Sequence, residues 1–133
     1  MKILLDTSVC VHILRRQASF LERLMAFRSR DIAIPAHAVA ELDHGVYLGQ
    51  QRKESRRQVD LMLSRYRVLA FDASAAHRAG LLLYETGRHG LTMKFFDLMI
   101  AAHAIEAGLT LASADADFEP LSGTRGLKLD KWS

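Results

Sequence analysis

Apolar residues along this chain fall into two patterns, short unbroken runs and longer stretches in which they recur every three or four positions. Ile3-Leu4-Leu5 is a run that stops at an acid, which predicts a strand over residues 2–6. Thr7 and Ser8 offer N-cap hydroxyls to a helix reaching about Arg16. Phe20, Leu21, Leu24 and Phe27 share helical spacing and predict a helix from Ala18 to Arg28. Asp31-Ile32-Ala33-Ile34 predicts a second strand, and Pro35 suits the first turn of a helix that stops before Gly49. Val59, Met62 and Leu63 form the apolar stripe of a helix over residues 52–66, followed by a strand over 67–71. Asp72 is placed to cap a helix ending near Gly87. A strongly apolar helix is expected from Phe95 to Ala107, closed by Gly108. Thr110-Leu111-Ala112-Ser113 predicts a fourth strand and Leu127-Lys128-Leu129 a fifth. The segments 87–92 and 123–126 are the candidate mobile loops.

Strands alternating with helices imply an α/β fold on a parallel sheet. The 133 residues suit a single domain spanning 1–133, with no repeat, linker or low-complexity segment. Half the residues are hydrophobic and a quarter charged, which excludes wholesale disorder. The lone Cys10 excludes a disulfide-stapled secreted fold and fits a reducing cytoplasm. No apolar run approaches the roughly 20 residues that span a bilayer, and Asp6 interrupts what a signal peptide would need to continue. No membrane partner is therefore expected. The net charge of +3 says little alone, but Arg52, Lys53, Arg56, Arg57, Arg65 and Arg67 crowd one segment against only Glu54 and Asp60. Such a face can attract phosphate, or can simply be a solvated helix surface.

Most of the acids fit turns, caps or exposed helix faces. Asp6, Glu41 and Asp97 do not, because each lies within core-like apolar sequence. An ionised carboxylate taken out of water needs compensation by cations or hydrogen bonds. Asp6 ends the first strand and Asp115 follows the fourth, and in open parallel sheets ligands sit outside the carboxyl ends of strands. If these acids converge, a pair about 4 Å apart repels by about 4 kcal/mol at an effective dielectric near 20. Either some are protonated or a cation lies between them. Hard oxygen ligands without cysteine select Mg²⁺ or Mn²⁺, and such ions bind phosphate oxygens and ready a water for in-line attack on a phosphodiester. Each acid also has an ordinary reading: a cap or turn for Asp6, half of an interior ion pair for Glu41, a helix cap for Asp97, turns for Asp115 and Asp117.

The segments Leu4-Leu5-Asp6-Thr7-Ser8, Val39-Ala40-Glu41-Leu42, Asp97-Leu98-Met99-Ile100-Ala101-Ala102-His103-Ala104 and Ala112-Ser113-Ala114-Asp115-Ala116-Asp117-Phe118, with the closing Gly126-Leu127-Lys128-Leu129 and Trp132, resemble the PIN-domain ribonucleases, and among them the VapC toxins of bacterial toxin–antitoxin pairs. Each motif alone is common; four in order across the whole chain are specific. The resemblance implies a three-layer sandwich with a central, mostly parallel sheet of about five strands. It implies that Asp6, Glu41, Asp97 and Asp115 are catalytic and metal-binding, with Asp117 as a further metal ligand, and that Thr7, Ser8 and Ser113 support them. It implies Mg²⁺- or Mn²⁺-dependent endonucleolytic cleavage of RNA, a homodimer, and a VapB-like antitoxin whose tail blocks the cleft. Two positions depart from the family's habit. Ser8 stands where asparagine is frequent, so a hydrogen bond there is expected to be shorter or missing. Phe96 stands where a small or polar residue is frequent, and its bulk bears on the cleft mouth or on the antitoxin contact. These departures motivate an alternative, a non-catalytic RNA- or protein-binding module on the same fold.

Other chemistry is weaker. His37, Glu41 and His44 share a helix face and could be read as a zinc site, but the paired histidines of the common zinc helix are missing. His103 lies six residues after Asp97 and turns away from it, as a packing residue would. Cys10 reads as a small helix-face residue. Phe20, Phe27, Phe71, Phe95 and Phe96 read as core or interface and not as a base-stacking platform, and Lys94 as a solvated lysine within reach of a phosphate.

Overall fold

The computed structural model describes residues 1–91, 93–122 and 126–133. Five strands, β1 (Ile3–Leu5), β2 (Ile32–Pro35), β3 (Arg67–Leu69), β4 (Thr110–Ser113) and β5 (Leu129–Lys131), pair in parallel in the order β3-β2-β1-β4-β5. Ile3 sets the register, opposite Ile32 on one side and Thr110 on the other. Parallel neighbours need long crossovers, and the chain makes most of them with helices. These are α1 (Thr7–Leu14), α2 (Ala18–Met25), α3 (Ala36–Leu48), α4 (Arg52–Arg65), α5 (Ala73–Arg88) and α6 (Phe95–Ala107).

The two-residue period of the strands divides the core. Ile3, Leu5, Ile32, Ile34 and Ala112 face α1 to α4, while Leu4, Ala33 and Leu111 face α5 and α6. A sheet buried on both faces is the arrangement expected for unbroken apolar strands. The chain winds outward from β1 through β2 to β3, then returns to β4 beside β1. That reversal opens a crevice at the carboxyl ends of β1 and β4, where such folds take ligands.

The elements follow the sequence pattern, with local differences. Helix α2 ends at Met25, short of Arg28, because a 3₁₀ turn over Ser29–Asp31 redirects the chain into β2; the Asp31 carboxylate accepts the Arg28 N–H. β5 is displaced to Leu129–Lys131, because Leu127 sinks into the α5–α6 side of the core and pairs singly with Ser122. Helix α5 continues through Gly87 and Arg88, which the sequence assigned to a loop. Thr92 and residues 123–125, parts of the two expected loops, lie outside the described residues. Gly108 ends α6 at φ 69°, a left-handed conformation suited to glycine. Phe20 is buried, and Phe27 and Phe71 pack against the core, but Phe95 and Phe96 stand exposed, which leaves only the interface half of their core-or-interface reading.

The cationic face of α4 is partly neutralised within the fold. Arg56 pairs with Asp43 at 2.6 Å and Asp60 at 3.3 Å, and Arg57 with Glu54 at 2.8 Å. Arg52, Lys53 and Arg65 have no ion pair among the described residues. Among the described residues no helix is long and apolar enough to cross a membrane.

Trp132 closes the core on the α1–α4 side. It is buried, its ring lies against Phe27 and Phe20 at 6.3 and 6.4 Å, and its Nε1 donates to Asp130 Oδ2 at 3.0 Å. Trp132→Ala is expected to destabilise the protein by about 3–5 kcal/mol, against a total stability of about 5–15. Because Trp132 is the sole tryptophan, urea unfolding followed by far-UV circular dichroism is the suitable measurement. A loss below about 1 kcal/mol would contradict this packing role.

Candidate active site

The site starts where β1 stops. Asp6 follows Leu5, and its N–H donates to the Ala112 carbonyl of β4 at 3.0 Å, so the carboxylate leaves the sheet between the two central strands. Asp6 itself is the N-cap of α1: Oδ1 accepts the Val9 N–H at 3.1 Å. The sequence offered that cap to Thr7 and Ser8 and, in its ordinary reading, to Asp6; Asp6 takes it, and the two hydroxyls serve the site. Ser8 donates to Asp6 Oδ1 at 2.6 Å, and Ser113 donates to Asp6 Oδ2 at 2.6 Å. Both hydroxyl oxygens accept in turn, from Ala114 N–H at 3.0 Å and Asp115 N–H at 2.9 Å. The serine at position 8 therefore loses no hydrogen bond to the acid. Asp6 is only 3% exposed.

The other acids arrive from three more segments. Glu41 lies in the second turn of α3, where Thr7 Oγ1 donates to its Oε1 at 2.7 Å. Asp97 is the third residue of α6, whose N-cap is Lys94, so Asp97 is not the cap. Asp115 begins a 3₁₀ turn over Ala116–Leu121, and its Oδ1 accepts the Asp117 N–H at 3.0 Å. The ordinary reading of Asp115 and Asp117 as turn residues is met here, although its 3₁₀ form was not specified. Its signal was present in Asp115-Ala116-Asp117 ahead of Pro120, because aspartate commonly bonds its own backbone two residues on.

Asp97, Asp115 and Asp117 each bring one carboxylate oxygen within 4.8 Å of the others. Asp6 and Glu41 stand outside this tight triple but are electrostatically joined to it, Asp6 through Asp115 and Glu41 through Asp97. None of the five pairs with arginine or lysine among the described residues. Burial pushes the Asp6 carboxyl above its ordinary range; bonds from Ser113, Ser8 and Val9 offset part of this, and the charge of Asp115 adds to it. Asp97 is pushed up to about 6, first by burial, then by Asp115, Glu41 and Asp117, with Lys94 opposing. An all-oxygen donor set short of positive charge suits a hard divalent cation, which keeps several waters and needs few protein ligands.

The zinc reading does not survive. His44 is exposed, while His37 is half-buried against Phe71 and Phe96 with its Nδ1 unpartnered. His103 is buried against Phe71, as a packing residue. Cys10 is buried, and its thiol is pushed far up by burial, so it is held protonated.

The model of the PIN domain matches residues 3–123. The chain belongs to the PIN-domain family. Within that family it is of the VapC type. It is 31% identical over 112 residues to ribonuclease VapC2 of Rickettsia felis, covering 83% of this chain and 84% of the relative. It is 28% identical over 134 residues to the tRNA(fMet)-specific endonuclease VapC of Shigella flexneri, covering 100% and 99%. Its fold superposes with a TM-score of 0.90, at 28% identity and full coverage of both chains, on a chain of the crystal structure of VapBC2 from Rickettsia felis bound to a DNA fragment from its promoter.

The crowding has a pH signature. Asp97 titrates near 6 when folded and near 3.8 when unperturbed, so between these values the folded protein holds the proton more firmly. Its contribution to stability therefore falls as pH rises through that window, and the loss is complete above about pH 6. In EDTA, Asp97→Asn is expected to raise Tm at pH 7.5 but not at pH 4. The gain should be about 3–5 °C, near 1 kcal/mol after allowing for solvent screening of a half-exposed group. Equal shifts at both pH values would refute the electrostatic account.

Proposed function

We propose that this PIN-domain protein is a divalent-metal-dependent endoribonuclease and the toxin of a VapBC pair, restrained by a VapB-like antitoxin. The observation that carries the reading is the unneutralised carboxylate group at the β1–β4 crevice. Asp97, Asp115 and Asp117 would hold the cation, Mg²⁺ or Mn²⁺, with Asp6 and Glu41 completing its surroundings. A bound divalent cation supplies Lewis-acid polarisation of a phosphate and lowers the pKa of a water. The chain's own groups do the rest. Thr7 fixes Glu41 through Oε1, leaving Oε2 to orient the attacking water. Ser8 and Ser113 keep Asp6 from turning aside.

The antitoxin follows from the company such chains keep, since the superposed Rickettsia felis structure is a VapBC assembly. A homodimer is supported by large apolar side chains left exposed on α3 and α5, notably Tyr47, Leu48 and Tyr84. The protein is assigned to the cytoplasm, where RNA and a free thiol coexist. The binding-module alternative loses one of its two grounds, because Ser8 does bond Asp6.

Purified protein free of any antitoxin should cleave RNA with Mg²⁺ or Mn²⁺ and stop when EDTA is added. RNA and DNA compared side by side settle the substrate. Asp6→Asn and Asp97→Asn should each lower cleavage by more than the roughly 10–100-fold that follows loss of a group behind a metal ligand. Mn²⁺ should raise Tm for the native chain and much less for Asp97→Asn. Cleavage indifferent to both substitutions would point to a contaminating nuclease and defeat the proposal.

A further inference from the structure

Phe95 and Phe96 are 58% and 41% exposed on the first turn of α6, immediately ahead of Asp97. Leaving such a ring in water forgoes about 1.5–3 kcal/mol of burial, so each exposed ring raises the question of what covers it. Helix geometry separates them: Phe96 is about 100° around α6 from Asp97, and Phe95 about 200°. Phe96 is therefore the ring beside the site.

Phe96 is also the ring held in place. The imidazole of His37 meets it edge-on at 5.8 Å and 79°, and meets Phe71 behind at 4.6 Å and 83°. His37 lies one turn before Glu41 on α3, so this brace joins the helix of Glu41 to the helix of Asp97. Its Nδ1 is buried without a partner, and burial favours the neutral ring, which packs among aromatic edges without a counter-charge. A fixed aromatic ring, partly open to solvent, thus stands one position before Asp97 on the helix that presents this carboxylate. Lys94, exposed, is the N-cap residue of the same helix, three positions before Asp97.

Aromatic faces for bases with cations for phosphates are the recurring means of holding single-stranded nucleic acid. We propose that Phe96 stacks an unpaired nucleobase next to the phosphate addressed by the carboxylates, with Lys94 on an adjoining phosphate. The inference rests on the nuclease reading and narrows its substrate to RNA that is single-stranded at the cleavage point. Paired bases already stack on their neighbours and have no free face to offer.

The test separates binding from cleavage. Asp97→Asn protein is titrated with a short single-stranded RNA carrying 2-aminopurine, whose emission falls on stacking. Emission should fall on binding. Adding Phe96→Leu should remove that change and weaken Kd by about 5–100-fold, the range that loss of one base–aromatic stack implies. Phe96→Tyr should keep both. With Asp97 intact, Phe96→Leu should raise KM by a similar factor and leave kcat within about twofold. If Phe96→Leu fails to fold, Phe96→Tyr and a comparison of single-stranded with fully paired RNA carry the test. Unchanged emission and affinity in Phe96→Leu, or equal binding of duplex, overturns the proposal. So does a changed oligomeric state with unaltered RNA affinity, which would assign the ring to a contact between chains. Binding with quenched emission but no cleavage by the native chain defeats the nuclease reading and leaves this inference standing. Cleavage indifferent to Phe96→Leu does the reverse.

Discussion

Repulsion among like charges is the constraint around which this molecule is arranged. Asp6, Glu41, Asp97, Asp115 and Asp117 come from four separate segments and meet at one crevice, where burial and mutual charge push Asp6 and Asp97 upward. A fold of ordinary stability tolerates this only if the rest of the core is well made. It is well made: the central strands are buried on both faces, and α6 packs a run of small apolar residues against α5. The strain is confined to one end of the sheet.

Asp6 serves the backbone and the site together. The same carboxylate that caps α1 receives two serine hydroxyls, and those hydroxyls accept the N–H groups of Ala114 and Asp115. The turn after β1 and the turn after β4 are thereby tied through a single buried acid. Each side chain in the network has a partner, which is what lets a buried polar group rigidify a structure rather than weaken it. Thr7 extends the same logic to Glu41 across 34 residues of chain. Asp6 and Glu41 are held in place by hydroxyl groups, which add no charge of their own.

Charge at the surface is handled differently. The basic stretch of α4 spends Arg56 and Arg57 on its own acids, so its cationic character in three dimensions is weaker than its composition suggests. The lysine whose charge reaches Asp97 is Lys94, a residue that composition would not single out. For a molecule that must meet a polyanion, position of charge matters more than its sum.

The α/β class, the order of elements, the caps at Asp72 and Gly108, and the acids standing in apolar surroundings were all legible along the chain. Periodicity, propensity and the anomaly of a carboxylate in a hydrophobic run are local properties, and locality is what a linear pattern records. Other features depend on distance in space. Whether Thr7 caps its helix or holds Glu41, whether Phe96 is buried or open, and whether Arg56 faces solvent or Asp43 all turn on which segments become neighbours. Asp115 and Asp117 could not be ranked from their order; the 3₁₀ turn brings an oxygen of each near Asp97. The return of the chain to β4 beside β1 put residues more than a hundred positions apart within hydrogen-bond reach. Long-range proximity of that kind is set by packing, and packing is a property of the whole fold.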